Sequence, residues 1–495
     1  MLLRNLRNFF NITLSVFNFI LDRSTKMKRI ISLLTVIPMV VAFLAISPKP
    51  VSAAELPPLE SSIQVQNLDP TNPANISIYY YDASGTLVTL PSPYTNPVTD
   101  TIEAGSSVTY LPIHPGVGFS GSAVVMSNRP ISIISNLTVA ATNRALGTFV
   151  GIPSGTETVY FPLVDKRSNV SAFSIQNVGS GNASIVIDFI PQPGSAYGDI
   201  SNINDTIAEG AAHIYNMANY GSGNWLGSVK VTATSGSIAG VLSNINQTNV
   251  ASPTNAVYNG FSGGSETVIL PLLMEANSGN RTGTSCQNMG PNPATITIDY
   301  SPEAGYPDRP NDVFTNVEVN GIATRLFEET GTRWVGSAVV TVTPGNRIAC
   351  VVNQSRPTLR RSSIYEGFDP ASATATVVLP LIMSKNGTTT RTFTNFSVAS
   401  TDGSNIDVTC DWIPGPGYSD ITSTNLKGAP VLVFVQQSGF SPSDTRWVGS
   451  AVCTENGGKP IVAVVNQSRE GLAPGTLRDV TSAYVGMNQY VGMNQ

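Results

Sequence analysis

The chain has 495 residues, of which 12% are charged, with 27 basic and 32 acidic side chains. An average soluble domain carries about 25% charged residues, so Ser, Thr, Asn and Gly must cover most of this surface. The acidic balance excludes binding to a nucleic-acid backbone, which requires a basic face. With two histidines, His114 and His213, a histidine-rich metal centre is excluded as well.

The amino terminus has the three parts of a secretory signal peptide. Met27-Lys28-Arg29 is the charged part, residues 30–46 are predominantly apolar, and Val51-Ser52-Ala53 is a small-residue cleavage site. We therefore predict that residues 1–53 are removed, and that translation starts at Met27 after a misassigned upstream start. The alternative is an uncleaved anchor, but the apolar run is short for a span of about 20 residues. No membrane span is predicted in the mature chain.

Four ordered landmarks recur through the rest of the chain and predict an internal repeat. A Pro-Leu step recurs every 109 residues, Trp-x-Gly-Ser recurs after 109 and 113 residues, and an Asn-Gln step and an aromatic-x-Gly connector close each unit. The three full units have their landmarks at Pro162, Pro271 and Pro380, at Trp225, Trp334 and Trp447, and at Asn246, Asn353 and Asn466. The weaker first unit has related sequences in place of the tryptophan and Asn-Gln landmarks, beginning at Phe119 and Asn136. The connectors begin at Phe149, Tyr258, Tyr365 and Tyr484.

Inside each unit the periodicity is two, which is the pattern of β-strands. Residues 294–300 alternate apolar and polar, as in a half-buried strand, whereas residues 348–352 are continuously apolar, as in a central strand. About seven such runs per unit predict an all-β fold of four tandem antiparallel β-sandwich domains with immunoglobulin-like architecture, arranged as independent beads. The predicted boundaries are 54–150, 151–260, 261–367 and 368–483 for repeats 1 to 4, and 484–495 for a connector-like C-terminal tail.

The four cysteines allow three pairings. One pairing keeps both bridges within a repeat, Cys286 with Cys350 and Cys410 with Cys453. The second pair is expected on neighbouring strands of one sheet, and the first between the second and last strands of its repeat. Bridges over such loops contribute about 4 kcal/mol each in the chain-entropy model and agree with export to an oxidising compartment. The alternative is two pairs of buried free thiols.

A Tyr-x-Asp loop recurs after the third strand of three units, and it is the candidate ligand site. An aromatic ring beside a carboxylate is typical of a sugar-binding loop, and the carboxylate also suits calcium. The alternative, which we favour, is structural: the Tyr packs over the end of the sandwich and the Asp caps a turn. The residues are Tyr197 and Asp199, Tyr306 and Asp308, and Tyr418 and Asp420.

The chain ends suggest a mode of assembly. The first unit begins almost at the predicted cleavage site, without the connector and first strand of the others, whereas Tyr484, Val485 and Met487 extend the last unit into a connector with no fifth unit. Residues 490–495 then duplicate residues 484–489. A chain with a missing strand at one end and a surplus segment at the other can join head to tail by strand addition, which gives filaments. The alternative is a truncated, frayed terminus with an accidental duplication.

No P-loop, H-E-x-x-H motif or EF-hand loop occurs after residue 53, and the chain is predicted not to be an enzyme, with no cofactor and no metal. Aspartates that a histidine-free glycosidase would need lie on the polar side of one strand in each repeat, where solvated charges belong. His213 lies in an alternating segment and is interpreted as a strand residue instead of a base. The aspartates are Asp188, Asp299, Asp407 and Asp411.

With a signal peptide followed by Asn/Thr/Gly-rich repeats that end in Asn-Gln-Ser/Thr, the chain resembles the tandem immunoglobulin-like or fibronectin-like β-sandwich arrays of bacterial cell-surface and extracellular-matrix proteins. This resemblance implies a structural or adhesive, non-enzymatic role. We predict a secreted rod of repeats that assembles into an extracellular filament, sheath or surface layer. The alternative is an adhesin or carbohydrate-binding array, and a weaker one is a scaffold for a separate enzyme. The expected partners are further copies of the chain, other cell-surface components or glycans.

Overall fold

The computed structural model describes residues 59–488 apart from 117, 140–143, 195–196, 247–253, 360, 387–389, 416, 435–445, 472–480 and 486. The predicted signal peptide and the hexapeptide 490–495 lie outside the described residues. Within them, every regular element is a β-strand except three single-turn 3-10 helices, at Met217–Asn219, Pro357–Leu359 and Pro370–Ser372. All strand pairs are antiparallel. The predicted all-β, antiparallel class is therefore confirmed.

The strands follow the units of the sequence. Repeat 1 contains β1 Leu59–Asn67, β2 Ala74–Tyr81, β3 Val98–Ile102, β4 Ser107–Tyr110, β5 Ser122–Ser127, β6 Ile131–Val139 and β7 Arg144–Val150. Repeat 2 contains β8 Thr158–Lys166, β9 Val170–Asn177, β10 Ala183–Pro191, β11 Ile203–Ile207, β12 Ala212–Asn216, β13 Trp225–Ser235, β14 Ile238–Asn246 and β15 Thr254–Asn259.

The third and fourth repeats have the same order of strands as the second. Repeat 3 contains β16 Thr267–Glu275, β17 Arg281–Asn288, β18 Ala294–Pro302, β19 Asp312–Val317, β20 Ile322–Leu326, β21 Trp334–Val342, β22 Ile348–Arg356 and β23 Arg361–Glu366. Repeat 4 contains β24 Thr376–Ser384, β25 Thr390–Ser400, β26 Ile406–Pro414, β27 Thr424–Ala429, β28 Val431–Phe434, β29 Trp447–Glu455, β30 Ile461–Gly471 and β31 Thr481–Val485, followed by β32 Met487–Asn488.

Each of repeats 2 to 4 forms two antiparallel arrays of four strands. In repeat 3 the orders are β16-β21-β18-β19 and β20-β17-β22-β23, and repeat 4 repeats both orders with β24 to β31. In repeat 2 the two arrays join into one sheet, because Lys166 pairs with Val170 between β8 and β9. Side chains from both arrays share one core. In repeat 4, Val377 and Val408 from one array lie in the same core as Phe396 and Ala463 from the other. The period-two alternation thus directs one face of every strand inward.

The last strands of the four repeats contact one another in a closed ring: β7 contacts β15, β15 contacts β23, β23 contacts β31, and β31 contacts β7. Hydrophobic clusters continue across these contacts. Val351 and Ile364 of repeat 3 join the core of repeat 2, and Val464 and Ala483 of repeat 4 join the core of repeat 3. Repeat 1 closes the ring, because its Ile134 belongs to the core of repeat 4.

This ring corrects the prediction of a row of independent beads. Residues 53–495 form one compact unit. The physical reason lies in the continuously apolar runs, which the sequence analysis interpreted as central strands of separate sandwiches. In β22, five successive residues from Ile348 to Val352 are buried, one face by their own repeat and the other by a neighbouring repeat. Apolar residues on both faces of a strand require cover on both faces, and here the second cover is another repeat.

Candidate functional site

A joint between the first strand, the last strand and the next repeat explains why the landmarks recur. The hydroxyl of Tyr258, on the last strand of repeat 2, donates to the carbonyl of Leu163 at 2.9 Å and accepts from its N–H at 3.2 Å. Tyr365 bonds both backbone groups of Leu272 in the same way, at 2.6 and 3.1 Å. Both tyrosines are fully buried. The aromatic landmark therefore holds the Pro-Leu landmark of its own repeat.

The proline of the same step contacts the following repeat. The hydroxyl of Ser285, in repeat 3, donates to the carbonyl of Pro162 at 2.6 Å, and Ser397, in repeat 4, donates to that of Pro271 at 3.0 Å. The pairing register shifts at these prolines, for example between Leu270 and Leu273. A proline is tolerated at such a bulge because the ladder is already interrupted. The Pro-Leu step is thus a structural joint and carries no reactive group.

Repeat 1 lacks this joint among the described residues. Its strands β1 to β7 correspond by their pairing to β9 to β15 of repeat 2, and the described residues contain no counterpart of β8. Each of β13, β21 and β29 pairs with strands on both sides, whereas β5 pairs with β2 alone in the described chain. No described strand pairs with the outer edge of β5. We define this edge, together with Ala123, Val125, Ile131 and Ile133, as the open-edge groove.

The side chains of the open-edge groove are less buried than their counterparts. Ala123 and Val125 of β5 are half-buried, whereas Val229 and Val231 at the same positions of β13 are fully buried. The aromatic residue of the connector also differs, since Phe149 is half-buried. Ile131 and Ile133 on β6 are half-buried as well. A strand of alternating apolar residues covers this surface in the other repeats, and no described strand covers it here.

The residues of the predicted assembly tail are placed in strands that pair within the chain. Tyr484 and Val485 pair with Val465 and Val464 of β30, and Met487 pairs with Val378 of β24. Phe261 and Phe368 make the corresponding bridges to the first strands of repeats 2 and 3. These tail residues are thus the last strand and connector of repeat 4, and we correct their interpretation as a surplus segment.

The Tyr-x-Asp loops agree in part with the structural interpretation, in which the tyrosine packs over the end of the sandwich. Tyr197, Tyr306 and Tyr418 are half-buried and pack against the cores of their repeats. The residue after each of the last two tyrosines accepts a hydrogen bond from a core tryptophan, at 3.0 Å in both repeats. The guanidinium groups of Arg333 and Arg446 lie 5.6 and 6.0 Å from the centres of the Tyr306 and Tyr418 rings. The acidic residues Asp199, Asp308 and Asp420 are exposed.

The cysteines pair as predicted. Cys286 is bonded to Cys350 and Cys410 to Cys453, and all four are fully buried. Both bridges join residues directly opposite each other on neighbouring strands, with Cα atoms 4.0 Å apart. One detail differs from the expectation: Cys350 lies on β22, which is the strand before the last one of its repeat.

Several titratable groups of the described chain form hydrogen bonds with neighbouring side chains. No group of three or more His, Cys, Asp or Glu that would suit a metal occurs there. His213 bonds Asp205 at 2.8 Å, and His114 bonds the hydroxyl of Tyr80 at 2.9 Å. Three aspartates named in the sequence analysis accept bonds from neighbouring polar side chains, namely Asp188, Asp407 and Asp411. A search of the described residues for a helix long and apolar enough to cross a membrane finds none.

The comparisons with known proteins leave the chain without an assigned family. No family model matches it, and no curated protein matches it. Among solved structures, the Thermotoga maritima protein 1070 is similar to 22% of this chain and 94% of its own length, with 16% identity and a TM-score of 0.18. A likeness at this TM-score assigns neither fold nor function.

The sequence predicts that repeat 1 lacks a first strand, but it does not predict the open-edge groove. The signal that could have located the groove is Phe149. The other connectors begin with tyrosine, at residues 258, 365 and 484, and two of those hydroxyls hold a Pro-Leu step. Phe149 has no hydroxyl, and the described residues of repeat 1 contain no Pro-Leu step that such a hydroxyl could hold.

Proposed function

We propose that the chain is a secreted, non-enzymatic structural protein that assembles into an extracellular filament, sheath or surface layer. In this proposal the repeats are β-sandwiches with immunoglobulin-like architecture, akin to the tandem arrays of bacterial cell surfaces, and residues 1–53 direct export. The unit of assembly is the closed ring of four repeats instead of a rod. Assembly proceeds by addition of a β-strand to the ring.

The observation that carries the proposal is the open edge of β5. An unpaired strand edge presents a row of free N–H and C=O groups and pairs readily with another chain. Natural proteins protect such edges with charges, bulges or a cover, whereas Ser122–Ser127 contains no charged residue. Its inward side chains Ala123 and Val125 are apolar and half-buried. An edge with these properties supports strand addition as the mode of assembly.

Two further observations support an extracellular role. Both disulfides bridge buried cysteines, and disulfides persist in oxidising compartments. The low charge of the chain means that few ions need to lose water when copies associate.

The assembly test uses the chain from Ala54 to Gln495 under oxidising conditions. We expect a concentration-dependent increase in mass by analytical ultracentrifugation, with polymers in negative-stain electron micrographs. The variant Val125→Lys places a charge in the groove, and we expect it to stay monomeric. The matched control Met126→Lys changes the next residue, which is 59% exposed, and assembles like the parent chain. A parent chain that stays monomeric at millimolar concentration contradicts the proposal.

The alternative function, a glycan-binding array, has less support. Stacking on a sugar requires an open aromatic face, and arginine guanidinium groups lie near the rings of Tyr306 and Tyr418.

A further inference from the structure

We propose that the open-edge groove of repeat 1 binds an extended strand donated by another polypeptide, with the apolar alternation and Pro-Leu step of the first strands β8, β16 and β24. This inference rests on the proposed function, since it names the kind of segment that strand addition would use. The chemistry of the partner follows from what the other three repeats place at the same position.

The first strands define which side chains the groove accepts. In repeat 2, Val159 of β8 lies opposite Val231 of β13, and Phe161 lies opposite Val229. Val159 and Phe161 are buried to 1% or less exposure. By strand order, Val231 and Val229 correspond to Val125 and Ala123 of β5. A donated strand therefore needs apolar side chains two residues apart, opposite Val125 and Ala123, which remove those residues from water.

The backbone of the donated strand supplies the second part of the recognition. In repeat 2 the strand pair runs from Thr158 to Lys166, so that backbone hydrogen bonds give affinity while the alternate side chains give specificity. After Phe161 the chain continues into Pro162-Leu163, where the register shifts. A Pro-Leu step at this point lets the partner follow the same path across the groove.

Phe149 makes the proposed complex weaker than the joints inside the chain. In repeats 2 and 3 a buried tyrosine hydroxyl bonds both backbone groups of the leucine in the Pro-Leu step. Phe149 has no hydroxyl, so a strand donated to repeat 1 lacks these two bonds. The internal first strands are permanently held by the chain, whereas the donated strand is held by contacts alone and can exchange.

The chain's own residues before β1 are the competing occupant. In repeats 2 to 4 the first strand ends at Lys166, Glu275 and Ser384, a few residues before the second strand begins. The segment before β1 that corresponds in sequence to these first strands falls mostly within residues 1–53, the predicted signal peptide. Cleavage of that peptide leaves the groove to another molecule, and the experiment below distinguishes the two occupants.

The test titrates a fluorescein-labelled peptide of residues 156–167, which contains β8, into the chain from Ala54 to Gln495. We expect saturable binding by fluorescence anisotropy and slower hydrogen exchange at the amides of β5 that face away from β2. The peptide with Phe161→Asp should bind at least tenfold more weakly, because the charge would enter the apolar groove. The matched control peptide with Tyr160→Asp changes a half-buried residue that points to the opposite face, and it retains binding.

The protein variant Phe149→Tyr tests the recognition of the Pro-Leu step. It restores the hydroxyl found in the other repeats, and we expect the peptide of residues 156–167 to bind roughly fivefold more tightly. The gain should disappear for a peptide with Pro162-Leu163 replaced by Gly-Gly. The peptide substitutions leave the protein unchanged, and the Phe149→Tyr variant is expected to bind more tightly. Misfolding of a protein variant therefore cannot produce the expected results.

Several results would overturn the inference. The first three are an absence of peptide binding up to about 1 mM, equal binding of the Phe161→Asp peptide, and a Phe149→Tyr variant with unchanged affinity. Protection, in the chain alone, of the β5 amides that face away from β2 would assign the groove to the chain's own segment. A peptide of residues 489–495 that binds in place of the β8 peptide would assign it to the C-terminal tail. Polymers that form while the β8 peptide neither binds nor inhibits them would overturn this inference and leave the proposed function standing. Peptide binding without polymers would overturn the proposed function and leave this inference standing.

Discussion

At the scale of single residues, Asp205 on β11 binds two side chains of β12, the next strand along the chain. Its carboxylate accepts hydrogen bonds from His213 at 2.8 Å and from Tyr215 at 2.7 Å. Burial works to raise the pKa of Asp205, but these hydrogen bonds outweigh it and lower the pKa. The hydrogen bond to Asp205 raises the pKa of His213, against the opposing effect of its burial. His114 differs, because burial lowers its pKa.

The two histidines should therefore give opposite pH dependences of stability. The raised pKa of His213 means that its contribution is fully present below about pH 6.5 and is lost as the pH rises through the folded-state value. We expect His213→Gln to lower the free energy of unfolding at pH 6 and to differ less from the parent chain at pH 9. The measurement is urea unfolding between pH 5.5 and 9.

His114→Gln is the control with the opposite sign. Because burial lowers the pKa of His114 in the folded chain, protonation favours the unfolded chain. The parent chain therefore loses stability as the pH falls below about 6.5, and the variant is spared this loss. Parallel stability curves for the parent chain and both variants would contradict this account of the two histidines.

Some residue roles follow from the sequence and others do not. The recurring Trp-x-Gly-Ser landmark marks the start of a buried strand and a close backbone approach: β21 begins at Trp334, and a Cβ on Gly336 would meet the carbonyl of Ser301. The pairing of Cys286 with Cys350 was also predicted. The hydrogen bond of Ser285 to Pro162 was not, because it joins residues 123 positions apart in two repeats, and no local pattern marks such a pair.

At the scale of elements, the first and last strands of a repeat depend on each other. They lie in different sheets of repeat 3, and the hydroxyl of Tyr365 on β23 bonds Leu272 on β16. The sequence predicted the strands themselves from alternation and turn residues. It did not predict which strands touch across the core, because periodicity carries no information on contacts between sheets.

Tyr365→Phe tests this link. The substitution keeps the ring but leaves the buried N–H and C=O of Leu272 without this partner, and we expect it to lower the free energy of unfolding by about 2 kcal/mol. The measurement is equilibrium urea unfolding monitored by tryptophan fluorescence. Tyr94→Phe is the matched control, because Tyr94 is 47% exposed, and it should change stability little. Equal effects of the two substitutions would show that the hydroxyl of Tyr365 does not hold β16.

At the scale of the whole unit from residue 53 onward, the sequence gives the number of repeats but not their arrangement. Residues 348–352 fit a central strand of an isolated sandwich as well as a strand covered by a neighbouring repeat. Contacts between repeats decide between the two, and they come from residues far apart in the chain. Asn259, for example, donates from its side chain to the carbonyl of Val150 at 2.9 Å and from its backbone to Glu366 at 2.6 Å. One residue of repeat 2 therefore binds both neighbours in the ring.

Small-angle X-ray scattering of the monomer from Ala54 to Gln495 distinguishes a ring from a row. A compact body of this length has a radius of gyration of about 22 Å, whereas four domains of about 100 residues in a row give about 40 Å. We expect a value near the smaller figure, because β31 contacts β7 and brings the last repeat against the first. The charge-inserting variant Val125→Lys, which should stay monomeric, provides the sample free of polymers. A radius near 40 Å for that monomer would mean that the last strands separate in solution and that the ring of repeats opens.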